Sequence, residues 1–198
     1  MNYTVRPLTN ETKEIFTEFL GNVDFSHAPH WATCFCRFYF TDCDQEHWKN
    51  RTGEDNRLEA LKEIEAGNMR GYLAFDKDKC IGWCNADQAD KFIRISQYIE
   101  PHIKNRKAGC VTCYVIHPEY RRQGVARLLL KHAIEDFKHQ DFQEVIALPV
   151  DSKLPVEMHY RGTMNMYLEN GFKVVESHED VNFMILELKK INRPNVYI

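Results

Sequence analysis

Three groups of residues in this 198-residue chain are of types that do chemistry. The first is Arg121-Arg-Gln-Gly-Val-Ala126, which follows the apolar, β-rich run Cys110–Ile116 and the stop His117-Pro118. A diphosphate needs several amide donors aimed one way, a residue small enough for close approach, and the positive end of a helix dipole behind them. Gly124 and Ala126 are small, Arg121 and Arg122 are cationic, and an amphipathic helix follows. Alone, such a hexapeptide is equally a plain exposed helix start. Its place behind a buried strand and a proline turn marks it as an anion site.

The second group is His27, His30, Cys34 and Cys36, spaced H-x2-H-x3-C-x-C. Zinc accepts such donors, although C-x-C is tight for it. Residues 22–44 also carry Trp31, Phe25, Phe35, Phe38, Tyr39 and Phe40. That crowding suits a buried lid over a cleft, with the cysteines acting as small hydrophobes. We therefore expect packing or substrate contact and no metal. The third group is Cys110 and Cys113. Strand alternation would send these two side chains to opposite faces, which argues against a shared metal.

The elements that must position these groups can be read from periodicity. Tyr3–Leu8 alternates as an edge strand ending near Pro7, and a helix bearing Ile15, Phe16, Phe19 and Leu20 on one face follows it. Residues 45–66 are polar and helix-compatible, divided at Gly53. Residues 71–75 and 80–86 form a hairpin around Asp76–Lys79. Residues 87–107 lack a clear period and read as a surface excursion or a short helix. Cys110–Ile116 is a strand buried on both faces. A helix over 122–139 carries Ala126, Leu129, Leu130, Ala133 and Phe137 as one core stripe. Val145–Leu148 is a second buried strand. Strand, helix and strand over roughly 40 residues make a parallel βαβ unit. A helix over 156–169 and a hairpin over 172–175 and 182–188 close the chain. The fold class is thus α+β (mixed α/β), with a central mixed sheet, one parallel crossover and flanking helices, in a single domain over 1–198.

Bulk composition narrows the function classes. Hydrophobic residues make up 43% and aromatic residues 12%, enough for a core. A net charge of -3 does not suit general nucleic-acid binding. Seven cysteines without an apolar leader read as reduced thiols, which implies a cytoplasmic protein with no membrane partner. A monomer or homodimer fits this size.

Val115-Ile-His-Pro-Glu-Tyr-Arg-Arg-Gln-Gly-Val-Ala-Arg-Leu-Leu-Leu130 resembles the acetyl-CoA-binding motif of the GCN5-related N-acetyltransferases, (Gln/Arg)-x-x-Gly-x-(Gly/Ala) after a strand end. Tyr167-Leu-Glu-Asn-Gly-Phe172 resembles the same family's second signature, Tyr-Glu-x-x-Gly-Phe. Trp31-x-x-Cys-x-Cys and Gly82-Trp-Cys-Asn85 also resemble a little-characterised subset of that family. The resemblance implies the acyl-CoA N-acyltransferase fold and transfer of an acetyl group from acetyl-CoA to a primary amine in a ternary complex. Backbone groups of Tyr114, Val115 and Ile116 would pair with the pantetheine arm. Arg121, Arg122, Gln123, Gly124, Val125, Ala126 and Arg127 would hold the pyrophosphate. Tyr167 would protonate the departing thiolate, where the plainer reading is a tyrosine anchoring helix to sheet. Asp151 is a candidate general base, with a water chain to backbone carbonyls as the other. Cys113 near an acyl group would offer a nucleophile, although the family transfers directly.

The match departs from the family pattern in two places. Tyr160 stands where some members carry Asn, and the motif glutamate is shifted to Glu169. Trp31, Cys34, Cys36, Trp83 and Asn85 are the acceptor-side candidates. The acceptor is expected to be a small-molecule amine, with a polyamine, an aminoglycoside or a lysine side chain all tolerated by a mildly acidic protein. A non-catalytic acyl-CoA binding or sensing module on the same fold is the alternative, and an intact Tyr167 favours the enzyme.

Overall fold

The structure is a computed structural model that describes residues 2–103, 105–150, 153, 159–178 and 181–189. Its elements, in order, are β1 (Thr4–Pro7), α1 (Lys13–Asn22), α2 (Gln45–Asn50), α3 (Gly53–Glu65), β2 (Gly71–Asp76), β3 (Lys79–Gln88), α4 (Ser96–Ile103), β4 (Ala108–Ile116), α5 (Val125–His139), β5 (Glu144–Ala147), α6 (Met164–Leu168), β6 (Lys173–His178) and β7 (Val181–Glu187). The strands form one sheet in the order β1-β2-β3-β4-β5-β7-β6. Among the described residues only β4 and β5 run parallel. This is the mixed sheet with one crossover that the sequence implies, and α5 is the crossover helix. Among the described residues, no helix is long and apolar enough to cross a membrane.

Two hydrophobic clusters cover the two faces of the sheet. One joins Phe16, Leu20, Phe25, Phe35, Cys36, Tyr39, Phe92 and Trp83. The other joins α5, through Leu129, Leu130, Ala133 and Phe137, to Tyr114, Tyr167 and Phe172. Side chains alternate between these clusters along β4, and the strand is buried on both faces from Ala108 to Thr112. Close approach is needed at Gly109, where an added Cβ would lie 2.7 Å from the Phe137 ring.

Local chemistry accounts for where the elements differ from expectation. The α2–α3 division falls where Thr52 and Asp55 form a reciprocal capping box at the start of α3. Helix α5 begins at Val125 and not at Arg122, because Arg122 (φ 61°) and Gly124 (φ 83°) are left-handed. The last helix is only Met164–Leu168. Gly162 sits at φ 82° and the Thr163 hydroxyl accepts the Met166 N–H at 3.3 Å, so residues 159–163 form a loop ahead of the helix. The expected start of this helix, at 156, lies outside the described residues. Within residues 87–107 the short helix of the two expected readings is present as α4, and the stretch is no surface excursion, since Phe92, Ile95 and Ile99 are buried in the first cluster.

One correction concerns β4 itself. Asn85 pairs with Cys113 while the next residue, Ala86, pairs with Val111, so Thr112 is an extra residue in the strand. This bulge resets the alternation. Cys110 and Cys113 therefore face the same cluster, contrary to the expectation from simple alternation.

Buried Asp87 offers a thermodynamic handle on the sheet. Its carboxylate accepts the Arg70 and Gln88 backbone N–H groups at 3.0 and 2.7 Å. Burial nevertheless raises its pKa from an ordinary 3.8 to about 6. The folded protein then keeps a proton that the unfolded chain releases, so this group makes folding less favourable as pH rises from about 4 to about 6. At roughly 1.4 kcal/mol per unit, the loss is about 2–3 kcal/mol. Wild type should lose that stability relative to Asp87→Asn across this window in denaturant unfolding. A difference independent of pH would contradict it.

Candidate active site

The turn after β4 is built to present amides. Pro118–Tyr120 forms a short 3-10 turn, and the left-handed residues Arg122 and Gly124 follow in a stretch whose backbone N–H groups have no backbone acceptor among the described residues, which suits an anion nest. The first helical bond of α5 runs from the Leu128 N–H to the Gly124 carbonyl at 3.0 Å. The amides of Val125, Ala126 and Arg127 precede it and have no helical acceptor. No atom lies within 4 Å of the position a Cβ on Gly124 would take, so the space before the turn is open. The Arg121 guanidinium folds back to donate to the Ile116 carbonyl at 3.3 Å. The Arg127 side chain pairs with Glu169 at 2.9 and 3.2 Å. Arg122 is exposed and has no ion pair among the described residues.

The edge of β4 leads into this turn. β4 pairs with β5 only from Ala108 to Val111. From Thr112 onward no strand lies beside its outer edge among the described residues. The His117 N–H donates inward to the Ile81 carbonyl at 3.0 Å, so alternation points the backbone groups of Ile116 and Tyr114 outward. The Tyr114 N–H donates to the Tyr160 carbonyl at 2.5 Å, so the 159–163 loop lies against this edge.

Turn, strand edge, loop, α2 and the 25–39 segment enclose a cleft of about 820 Å³. Tyr114, Val115, Ile116 and the phosphate-turn residues line it, except Gln123. The Gln123 amide instead accepts from the Tyr3 hydroxyl at 2.8 Å and donates to the Glu119 carbonyl at 2.6 Å. Trp31, Cys34 and Cys36 are on the wall as well. Trp83 and Asn85 are not on it; both are fully buried behind it. Trp83 packs on Phe16 at 4.6 Å and donates its indole N–H to the Cys36 sulfur at 3.1 Å. Neither polar atom of the Asn85 side chain has a partner among the described residues.

The thiols of this region are held protonated. A hydrogen bond with the Cys113 thiol, followed by burial, pushes Cys36 well above the usual thiol range. Burial pushes Cys34 up to about 12. Among the described residues, no three His, Cys, Asp or Glu side chains converge as a metal site. Residues Phe35 and Cys36 have left-handed backbones at φ 41° and 54°, an uncommon pair that turns Cys36 inward onto Trp83.

Tyr167 is fully buried in the cluster under α5 and does not reach the cleft wall. Its hydroxyl donates to the Arg161 carbonyl at 2.7 Å and lies 3.5 Å from the Tyr114 hydroxyl. Burial pushes its pKa well above the ordinary phenol range. Gly162, which lines the cleft, covers it: a Cβ there would come within 3.1 Å of the Tyr167 oxygen. Asp151 lies outside the described residues.

The structure adds residues that sequence reasoning passed over. The Arg161 side chain donates to the Tyr39 hydroxyl at 3.0 Å and lies 5.7 and 5.5 Å from the Tyr39 and Tyr160 ring centres. Trp31 meets the Tyr160 ring edge-on at 4.8 Å. Trp48, Lys49 and Arg51, from α2 and the residue just past it, also line the cleft. Tyr160 was visible only as a departure from the family motif. Lys49 and Arg51 had the look of a solvated polar helix and carried no signal.

Residues 30–172 match the model of the Acetyltransferase (GNAT) family. Comparison with curated protein sequences gives no match. Solved structures similar to this chain include an acetyltransferase of the GNAT family from Streptococcus pneumoniae, 20% identical, covering 95% of this chain and 100% of that one at a TM-score of 0.53. The PaiA N-acetyltransferase of Thermoplasma acidophilum, in complex with coenzyme A, is 18% identical over 95% of this chain and 100% of its own, with a TM-score of 0.56. YncA of Salmonella typhimurium, described as a putative acetyltransferase with its cofactor acetyl-CoA, is 15% identical over 98% and 99% with a TM-score of 0.53. At these identities the likeness establishes a shared fold. Together with the family match over most of its length, it follows that the chain belongs to the GNAT family of acetyltransferases.

Proposed function

We propose that the protein moves an acetyl group from acetyl-CoA to a primary amine by direct transfer in a ternary complex. The observation that carries this reading is the run of amides at 122–127 without backbone acceptors, directly after the edge of β4 that β5 leaves at Val111. The amides and Arg122 suit a pyrophosphate, and the outward backbone of Tyr114 and Ile116 suits an extended amide-bearing arm. The arm would take the Tyr114 N–H from the Tyr160 carbonyl. Displacing that loop would also uncover Tyr167, whose hydroxyl is now held on the Arg161 carbonyl of the same loop.

In the reaction, the amine lone pair forms the C–N bond at the thioester carbonyl carbon. An outward amide of β4 stabilises the developing oxyanion. Collapse breaks the C–S bond, the thiolate takes a proton from Tyr167, and the proton that the nitrogen gives up passes through water to restore the Tyr167 phenol. No carboxylate among the described residues lines the cleft to serve as base. Arg161, beneath the aromatic wall, instead disfavours an ammonium and so favours an amine that binds neutral. The aromatic walls suit a small acceptor better than a protein tail.

Two outcomes test this. Coenzyme A at about 100 times its dissociation constant should stabilise the wild type by about 2.7 kcal/mol, and Gly124→Glu should abolish this in a thermal melt. An unchanged shift in the variant would refute the turn as the phosphate site. Tyr167→Phe should bind coenzyme A normally yet lower kcat by about 10²-fold. Full activity with a good acceptor would remove Tyr167 from the chemistry.

A further inference from the structure

Resting on the acetyl-transfer reading, we infer that the acceptor amine carries an anionic group of its own, a carboxylate or phosphate, held at the α2 end of the cleft by Lys49 and Arg51.

The first support is charge. Among the described residues, no Asp or Glu lines the cleft. A polyamine or an aminoglycoside would bring several ammonium groups into a site with no counter-charge, which is costly. This narrows the sequence expectation that any cationic amine is tolerated. The second support is position. Arg121, Arg122 and Arg127 belong to the phosphate turn, whereas Lys49 and Arg51 come from a separate element, α2 and the residue just past it.

The third support is unbalanced charge at that end. Arg51 donates to the Asn56 side chain at 2.6 Å and pairs with Glu59. Glu59 also pairs with buried Arg37, at 3.1 Å. Two guanidinium groups thus share one carboxylate. Lys49 adds a further cation, exposed and without an ion pair among the described residues.

Aromatic rings can hold an ammonium without any carboxylate, so they must be weighed. Here several of the wall's rings already have cations, although Trp31 has none among the described residues. Arg161 lies over Tyr39 and Tyr160, and Arg51 and Arg94 lie 5.8 and 5.7 Å from the Trp48 ring centre. The cleft is an apolar slot with a positive end, which fits an amine with an apolar body and an anionic tail. A charge-assisted contact of this kind typically gives about 10- to 100-fold in affinity.

The test is calorimetric binding to the protein saturated with coenzyme A, using matched amines. L-phenylalanine against phenethylamine isolates a carboxylate, glucosamine 6-phosphate against glucosamine isolates a phosphate, and spermidine is the polycation. Thiol release from acetyl-CoA is measured separately. In at least one pair the anionic member should bind about 10-fold tighter or better, and that pair identifies the group. Lys49→Glu, at an exposed position, should cancel the preference while leaving coenzyme A binding intact. Equal binding within both pairs, tighter binding of spermidine, or no binding by any amine would overturn the inference. So would a Lys49→Glu variant that loses coenzyme A, since these cations would then serve the coenzyme. An anionic amine that binds selectively but is never acetylated would uphold the subsite while removing the transfer reading.

Discussion

β4 and β5 stay together for four register pairs, Ala108–Val111 against Glu144–Ala147, and then part. Everything about the candidate site depends on that parting. Parallel strands buried on both faces ordinarily satisfy one another's backbone, and leaving an edge unpaired within a dry sheet is costly. Here the bulge at Thr112 coincides with the point where pairing stops. Beyond it, the outward N–H of Tyr114 is satisfied by the Tyr160 carbonyl, a group borrowed from a loop. A borrowed partner can be exchanged for a ligand in a way that a neighbouring strand cannot.

The two packed faces keep the edge where it is. α5 seats against the sheet through Val125, Leu129 and Phe137, with Gly109 leaving room for the Phe137 ring. That seating fixes the α5 N-terminus at the end of β4, so the amides and the strand edge form one continuous surface. On the other face, Trp83 fills the core and reaches Cys36 through its indole N–H. The 25–40 segment is tied down by this contact and by its own buried aromatics, and becomes the cleft's opposite wall. Stability and site are therefore the same packing seen from two sides.

Much of this was legible in the chain. The β4–turn–α5 unit and its glycine were plain, because a buried strand, a proline stop and a helical stripe each leave a strong pattern. The aromatic segment was recognisable as a wall from composition alone. Other features left no pattern. The Thr112 bulge cannot be read from alternation, and it reversed the predicted facing of Cys110 and Cys113. The left-handed backbone at Arg122 delayed the helix start by one turn, since arginine gives no hint of positive φ. Trp83 and Asn85 share a face of β3 that meets core packing before it meets the cleft, so alternation chose the right side and the wrong depth. The Arg161 contacts join residues distant in sequence and were invisible until folded.

Amide hydrogen exchange, resolved residue by residue with and without coenzyme A, tests the central claim most directly. The amides of Ile116, Gly124, Val125 and Ala126 should become strongly protected when coenzyme A is added, while amides in β1 and β2 stay as they were. Coenzyme A binding that leaves those four amides unprotected would place the ligand elsewhere and contradict the strand-edge and turn as its site.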